Sequence, residues 1–180
     1  MQDIQIHINL IAAIVFLGIS CGLFFSYFLF TKSYWAKSPN LYMGGLILVL
    51  SLIMLDGWLG YTGYMFQILW LTNFTEPLNF TIAPLIYLFM TTQLGDKRSH
   101  KDLLHFIPFI FWLGYCVFFF ALPEAFKYNA NISAMNLDIP YLEITETYTG
   151  DPLDLRDYVN IATIFHIVIY NIILLWRLLV

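Results

Sequence analysis

One acidic residue, Asp56, stands inside the long apolar runs of this 180-residue chain. A carboxylate near mid-membrane costs at least about 2.5 kcal/mol on insertion scales, so it turns toward other helices or water and needs a partner. Counted at about 1.5 Å per residue from the nearer ends of their runs, Asp56 and His166 lie at similar depth, roughly 10 to 12 Å. The two are expected to meet in one pocket as ligand-binding or signal-sensing residues. Asn160 and Asn171 share the run of His166, at spacings that do not bring all three onto one face, and Asn160 joins the candidates. Hydrogen bonds that merely hold helices together account for the same polar groups, and the sequence leaves both readings open. Pro84 and Pro108 each remove a backbone donor inside a run, so each is an expected kink. Gly18 and Gly22 have the G-x-x-x-G spacing that lets helices approach closely, within one chain or across a homodimer.

Catalytic machinery is not visible. The chain has no nucleophile elbow, phosphate loop, paired-cysteine motif or H-E-x-x-H, and no lysine lies in an apolar run where it could hold a retinal. No enzyme activity, metal or cofactor is therefore expected. Cys21 and Cys116 sit among apolar residues, where free thiols behave as small hydrophobes, and no disulfide is expected. His105 is placed for an interfacial hydrogen bond.

The elements that must position these residues follow from composition. Hydrophobic residues make up 60% of the chain and charged ones 11%, against about 25% charged in soluble domains. A span needs roughly 20 apolar residues, which predicts one all-α, polytopic transmembrane helix bundle over residues 1–180. It has about five spans, at about 8–30, 41–63, 80–94, 103–122 and 159–176. Residues 123–158 turn polar and acidic and read as a long outer loop. The first eight residues lack Lys and Arg, unlike a cleaved signal, so the first span is expected to stay as an anchor.

Six of the eight basic residues, Lys32, Lys37, Lys97, Arg98, Lys101 and Arg177, fall on one side of these spans. The positive-inside rule makes that side cytoplasmic and puts the N-terminus outside. Tyr34, Trp35, Tyr42 and Trp176 would then mark the inner interface, and Tyr61, Tyr64, Trp70 and Tyr158 the outer one. No basic stripe suited to phosphate contacts is present, so this segment is not expected to bind nucleic acid itself.

Three stretches carry a family resemblance: Glu76-Pro77-Leu78, Pro84-Leu85-Ile86-Tyr87-Leu88-Phe89 and Asp102-Leu103-Leu104-His105-Phe106-Ile107-Pro108-Phe109. The order P-L-x-Y-x-aromatic, basic turn, L-H-F-x-P-F resembles bacterial membrane-anchored transcriptional regulators of the AraC type, over about residues 41–115. Phe89 stands where tyrosine is commoner. The resemblance implies the first part of a seven-helix sensor bundle in the bacterial inner membrane, receiving a small ligand or a membrane signal. It also implies two more helices and a cytoplasmic helix-turn-helix domain beyond Val180, through which alone DNA is bound. The sensor bundle of a histidine kinase and a fragment of a small-solute transporter are the alternative readings.

Overall fold

The computed structural model describes residues 5–36, 39–145, 147 and 149–179, without the side chains of 32–36. Lys32, Tyr34, Trp35 and Lys37 lie outside the described side chains. Among the described residues the regular structure is helical throughout, in α1 (Leu10–Ala36), α2 (Asn40–Thr62), α3 (Asn79–Gln93), α4 (Ile107–Phe120), α5 (Glu124–Met135) and α6 (Val159–Leu179). Four stretches are long and apolar enough to cross a membrane: Leu10–Thr31, Asn40–Thr62, His100–Phe120 and Arg156–Leu179. These correspond to the expected first, second, fourth and fifth spans.

The expected third span differs. Its helix, α3, has only 15 residues and rises about 22 Å, short of a hydrocarbon core of about 30 Å. The segment that precedes it turns back toward the bundle. After the left-handed Gly63 (φ 80°) ends α2, residues 64–78 proceed in short 3-10 turns, at Tyr64–Gln67, Leu69–Leu71 and Glu76–Leu78. They turn back alongside α2, since the Thr75 hydroxyl donates to Asp56 Oδ2 at 2.7 Å. Asp56 lies six residues before Thr62, the end of α2, so the segment has returned about 9 Å into the bundle before α3 begins. Nine plus 22 ångströms is about the thickness of the hydrocarbon core.

The helices alternate in direction between two ends. At one end, which we term the capped end, His7 donates its amide to the Thr62 carbonyl at 2.9 Å and Asn9 Nδ2 donates to the Tyr61 hydroxyl at 2.7 Å. At the other, the basic end, the Tyr42 hydroxyl near the start of α2 donates to Asp102 Oδ2 at 2.5 Å, and Arg177 near the end of α6 pairs with Asp96. Helix α3 packs against α2, α4 and α6. Its buried face of Phe80, Thr81, Ala83, Pro84, Leu85, Leu88 and Thr91 makes it the central element.

Residues 123–158 are not one loop. The stretch begins with α5, whose Tyr128 and Ile132 pack with Leu69 and with Phe66, Leu137, Ile139 and Leu142 at their margin. An amphipathic helix lying across the end of a bundle needs only one narrow apolar stripe, and polar residues between its members disguise it as loop. Asn129 then fastens the following extended stretch by giving and accepting one bond each with the Leu142 backbone, both at 2.9 Å.

Two kink expectations separate. Pro84 is inside α3, but Pro108 is in the first turn of α4, where a missing N–H costs nothing, after a 3-10 stretch at His100–Phe106. The glycine pair separates too. A Cβ at Gly22 would come within 2.2 Å of Ser51 Oγ on α2, whereas one at Gly18 would meet nothing within 4 Å. The close approach is thus a single contact of α1 on α2 within the chain.

Candidate functional site

Polar side chains collect under the capped end, where the returning segment 64–78 meets α2, α4, α5 and the start of α6. Asp56 enters from α2, and its carboxylate accepts from Thr75 at 2.7 Å. One turn away along the segment, Thr72 Oγ1 accepts from Asn131 Nδ2 of α5 at 2.8 Å, and that amide also donates to the Lys127 carbonyl at 2.8 Å. Beside them is a cavity of about 230 Å³ whose lining includes Asp56, Gly57, Gly60, Asn73, Asn131 and Met135. Asn73 takes a left-handed conformation, φ 61°, which asparagine tolerates better than most side chains. The volume is below the roughly 300 Å³ at which pockets for drug-sized molecules begin. A carboxylate and two carboxamides around such a space fit a small polar or cationic solute.

Next to this cavity lies an ion pair. Glu76 pairs with Arg156 from the turn leading into α6, their side chains 14% and 16% exposed. Glu76 Oε1 also accepts from Trp112 Nε1 of α4 at 3.1 Å, and the Arg156 guanidinium lies 4.0 Å from the centre of the Phe119 ring. Charge, ring face and indole together satisfy a pair that would otherwise be costly to bury. The turn that carries Arg156 is itself tied down. Asp151 accepts from the Tyr115 hydroxyl and from the Leu155 and Arg156 amides at 2.9 and 3.1 Å. Burial alone would raise the Asp151 carboxyl, but the bonds from Tyr115 and from those two amides outweigh it and hold the group below its ordinary value.

His166 does not meet Asp56. Helix α3 stands between α2 and α6, and the His166 ring lies against Phe80 at 5.7 Å and Tyr170 at 4.9 Å between centroids. Both ring nitrogens are buried without a hydrogen-bond partner among the described residues. Counting residues fixes depth along a helix but not its bearing around the bundle, which is why equal depth did not bring the two together. Asn160 is exposed and joins neither residue, while Asn171 donates to the Ile167 carbonyl of its own helix at 2.9 Å.

Lower on α6, Tyr170 shares a hydrogen bond of 2.9 Å with His105 Nδ1. Tyr87 of α3 packs on both rings, at 5.3 Å from His105 and 5.5 Å from Tyr170, and accepts from Arg177 at 3.4 Å. The residues that sequence reasoning missed are Glu76, Trp112, Tyr115, Asp151 and Arg156. One signal was available: Arg156 is one of only two basic residues expected on its side of the spans, so an acid near the same level, such as Glu76, was its natural partner. Among the described residues no group of three or more His, Cys, Asp and Glu side chains is placed to hold a metal.

Removing one member of a buried pair strands the other. Glu76→Leu is expected to destabilise the chain by about 3 to 5 kcal/mol, whereas Glu76→Leu with Arg156→Met recovers most of the loss; thermal unfolding in detergent measures both, and simple additivity would refute the coupling. Asp151 sets a pH dependence. Its folded value lies below the ordinary 3.8, so its contribution is complete above that value and disappears as pH falls through the lower, folded one. Amide exchange in residues 151–156 should accelerate over that acid range in the native chain, and Asp151→Asn should exchange fast at neutral pH already.

No protein-family model, no curated protein and no solved structure matches the chain, so the chemistry of this site rests on its own residues.

Proposed function

We propose that this chain is the membrane-embedded sensing and anchoring region of a one-component transcriptional regulator, with its helix-turn-helix domain of AraC type beyond Val180. The observation that carries the reading is the way α6 is held. It is fastened at the capped end by Arg156 to Glu76, beside the Asp56 cavity, and at the basic end by Arg177 to Asp96. Between the two it touches α3 through His166 and Tyr170. A small solute in the cavity that drew on Asp56 or displaced Thr75 would alter the seat of Glu76, one residue further along, and with it the outer anchorage of α6. Two segments that carry the family resemblance also meet in space, at Tyr87 and His105.

The basic end faces the cytoplasm in this reading. Lys97, Arg98, Lys101 and Arg177 are all exposed there. At the capped end Lys127 is buried with its ammonium on the Phe120 carbonyl at 2.8 Å, and Arg156 is paired. With α3 and its returning segment counted as a fifth crossing, this reading has the end of α6 on the cytoplasmic side, where a DNA-reading domain must be. A transporter would be expected to gather its polar groups near the midplane; here they gather under the cap.

Two experiments test this. In a background lacking Cys21 and Cys116, a cysteine at Ser133 is expected to react with an impermeant thiol reagent in intact cells and one at Ser99 to stay protected; the opposite pattern reverses the orientation. Asp56→Asn in the full-length protein is expected to abolish the response of a promoter reporter while membrane levels stay within about twofold, and equal loss of both reduces Asp56 to a packing residue. A kinase core encoded after Val180 would make the bundle a kinase sensor, and a stop codon there would remove the regulator.

A further inference from the structure

A second and larger cleft, about 1250 Å³, opens at the basic end between the start of α2, the turn 95–100 and the start of the His100–Phe106 stretch. Its lining is mixed, with Lys97, Arg98 and His100 among the polar residues and Phe30, Leu41 and Leu103 among the apolar ones. Two acids also border it, and both are already engaged. Asp102 accepts from Tyr42 at 2.5 Å and from the Ser99 amide at 3.1 Å, and Asp96 pairs with Arg177. Neither Lys97 nor Arg98 has an ion-pair partner among the described residues, and the Arg98 guanidinium lies 5.7 Å from the centre of the Tyr42 ring, which holds it at the rim. Asp102 keeps its charge, so Lys97 and Arg98 together leave the cleft a net positive charge of about one beside its apolar residues. This charge lies at the end of the bundle where four stretches apolar enough to cross a membrane have one terminus each.

We propose that this cleft binds an anionic glycerophospholipid, its headgroup phosphate between Lys97 and Arg98 and its acyl chains along Phe30, Leu41 and Leu103. The chemistry requires both halves. A free phosphate would use the cations and leave the apolar residues facing water, and a zwitterionic lipid would use the apolar residues and bring its own cation against Lys97 and Arg98. An anionic lipid satisfies both at once. The site is distinct from the Asp56 cavity, which lies at the other end of the bundle, and it does not depend on which face of the membrane the basic end occupies.

Native mass spectrometry of the chain released from nanodiscs tests the proposal, with equal amounts of phosphatidylglycerol and phosphatidylcholine as the probes. Phosphatidylglycerol is expected to be retained in preference. Lys97→Gln with Arg98→Gln should cut that preference roughly 30-fold, at about fivefold per charge, with size-exclusion profile unchanged. Lys101→Gln removes a charge from the same turn but outside the cleft lining, and it should leave the preference intact. If the double variant does not fold, Lys97→Gln alone should still give the fivefold loss. Equal retention of the two lipids, or a loss with Lys101→Gln as large as with Lys97→Gln, overturns the site in favour of a diffuse surface potential. Displacement of phosphatidylglycerol by millimolar inorganic phosphate overturns it in favour of a site for free anions.

Discussion

A backbone amide below the headgroups has no water to bond, so irregular chain at that depth survives only where protein supplies every partner. Residues 64–78, which turn back beside α2, carry many of their partners within the protein. Along their length each turn closes on itself, with Ile68, Leu71, Thr72, Phe74, Glu76 and Leu78 donating to carbonyls three residues back at 2.8 to 3.1 Å. Around them α2, α4 and α5 supply the side-chain partners that 3-10 turns cannot. The remaining features of the capped end answer to this constraint. Helix α5 lies across the segment because Leu69 must be covered, and it does so with Tyr128 and Ile132. Asp56 can stand inside an apolar helix because Thr75 has been brought down to it.

The same constraint explains where the charges are. Burying an ion pair gains little over burying an apolar pair of equal volume, because desolvation consumes most of the attraction. The Glu76 to Arg156 pair is therefore poorly accounted for as a simple stabiliser. Its geometry fits a fastening better: Glu76 sits where the returning segment becomes α3, and Arg156 where the cap becomes α6. Trp112 and Phe119 of α4 hold the two groups from a third direction. The contact does not act alone, since Leu155 and Val159 pack on the cluster of Phe80, Trp112, Tyr115 and Cys116 and Tyr115 donates to Asp151.

Most of the helix positions were legible because hydropathy is a one-dimensional property that the sequence carries directly. Spans placed at 41–63 and 159–176 correspond to helices at Asn40–Thr62 and Val159–Leu179. What was not legible depends on bearing and on return. Nothing in the order of residues 64–78 reveals that they go back into the bundle, since Trp70, Asn73 and Pro77 read equally well as surface loop. The Asp56 to His166 pairing failed for the reason that α3 intervenes, a fact about angle around the axis that depth cannot supply. Helix α5 was hidden by Lys127, Asn129 and Asn131, polar residues that turn out to donate to or accept from backbone and Thr72. Of the Gly18 and Gly22 pair, only Gly22 approaches another helix, at Ser51 of α2.

Helix α6 is the least enclosed of the long helices. Only Val159 and Leu174 of its residues are buried, and its main neighbour is α3. Such a helix, anchored by an ion pair at each end and by aromatic rings between, has few apolar contacts to break when it shifts. Its inner contacts are also the ones made by Tyr87 and His105, from different stretches of the chain. Contacts thus run without interruption from Arg156 and Glu76 through Trp112, Phe80, His166 and Tyr170 to Tyr87, Arg177 and Asp96. Contiguity alone is not coupling. Coupling requires an element with two discrete seats, and the unbonded nitrogens of His166 provide a reason for one. An imidazole buried against Phe80 with no partner gains a hydrogen bond if α6 rotates or slides to bring it to a carbonyl or to water. In the present position of α6 the ends are paired, through Arg156 and Arg177, while the His166 nitrogens at its middle have no partner among the described residues.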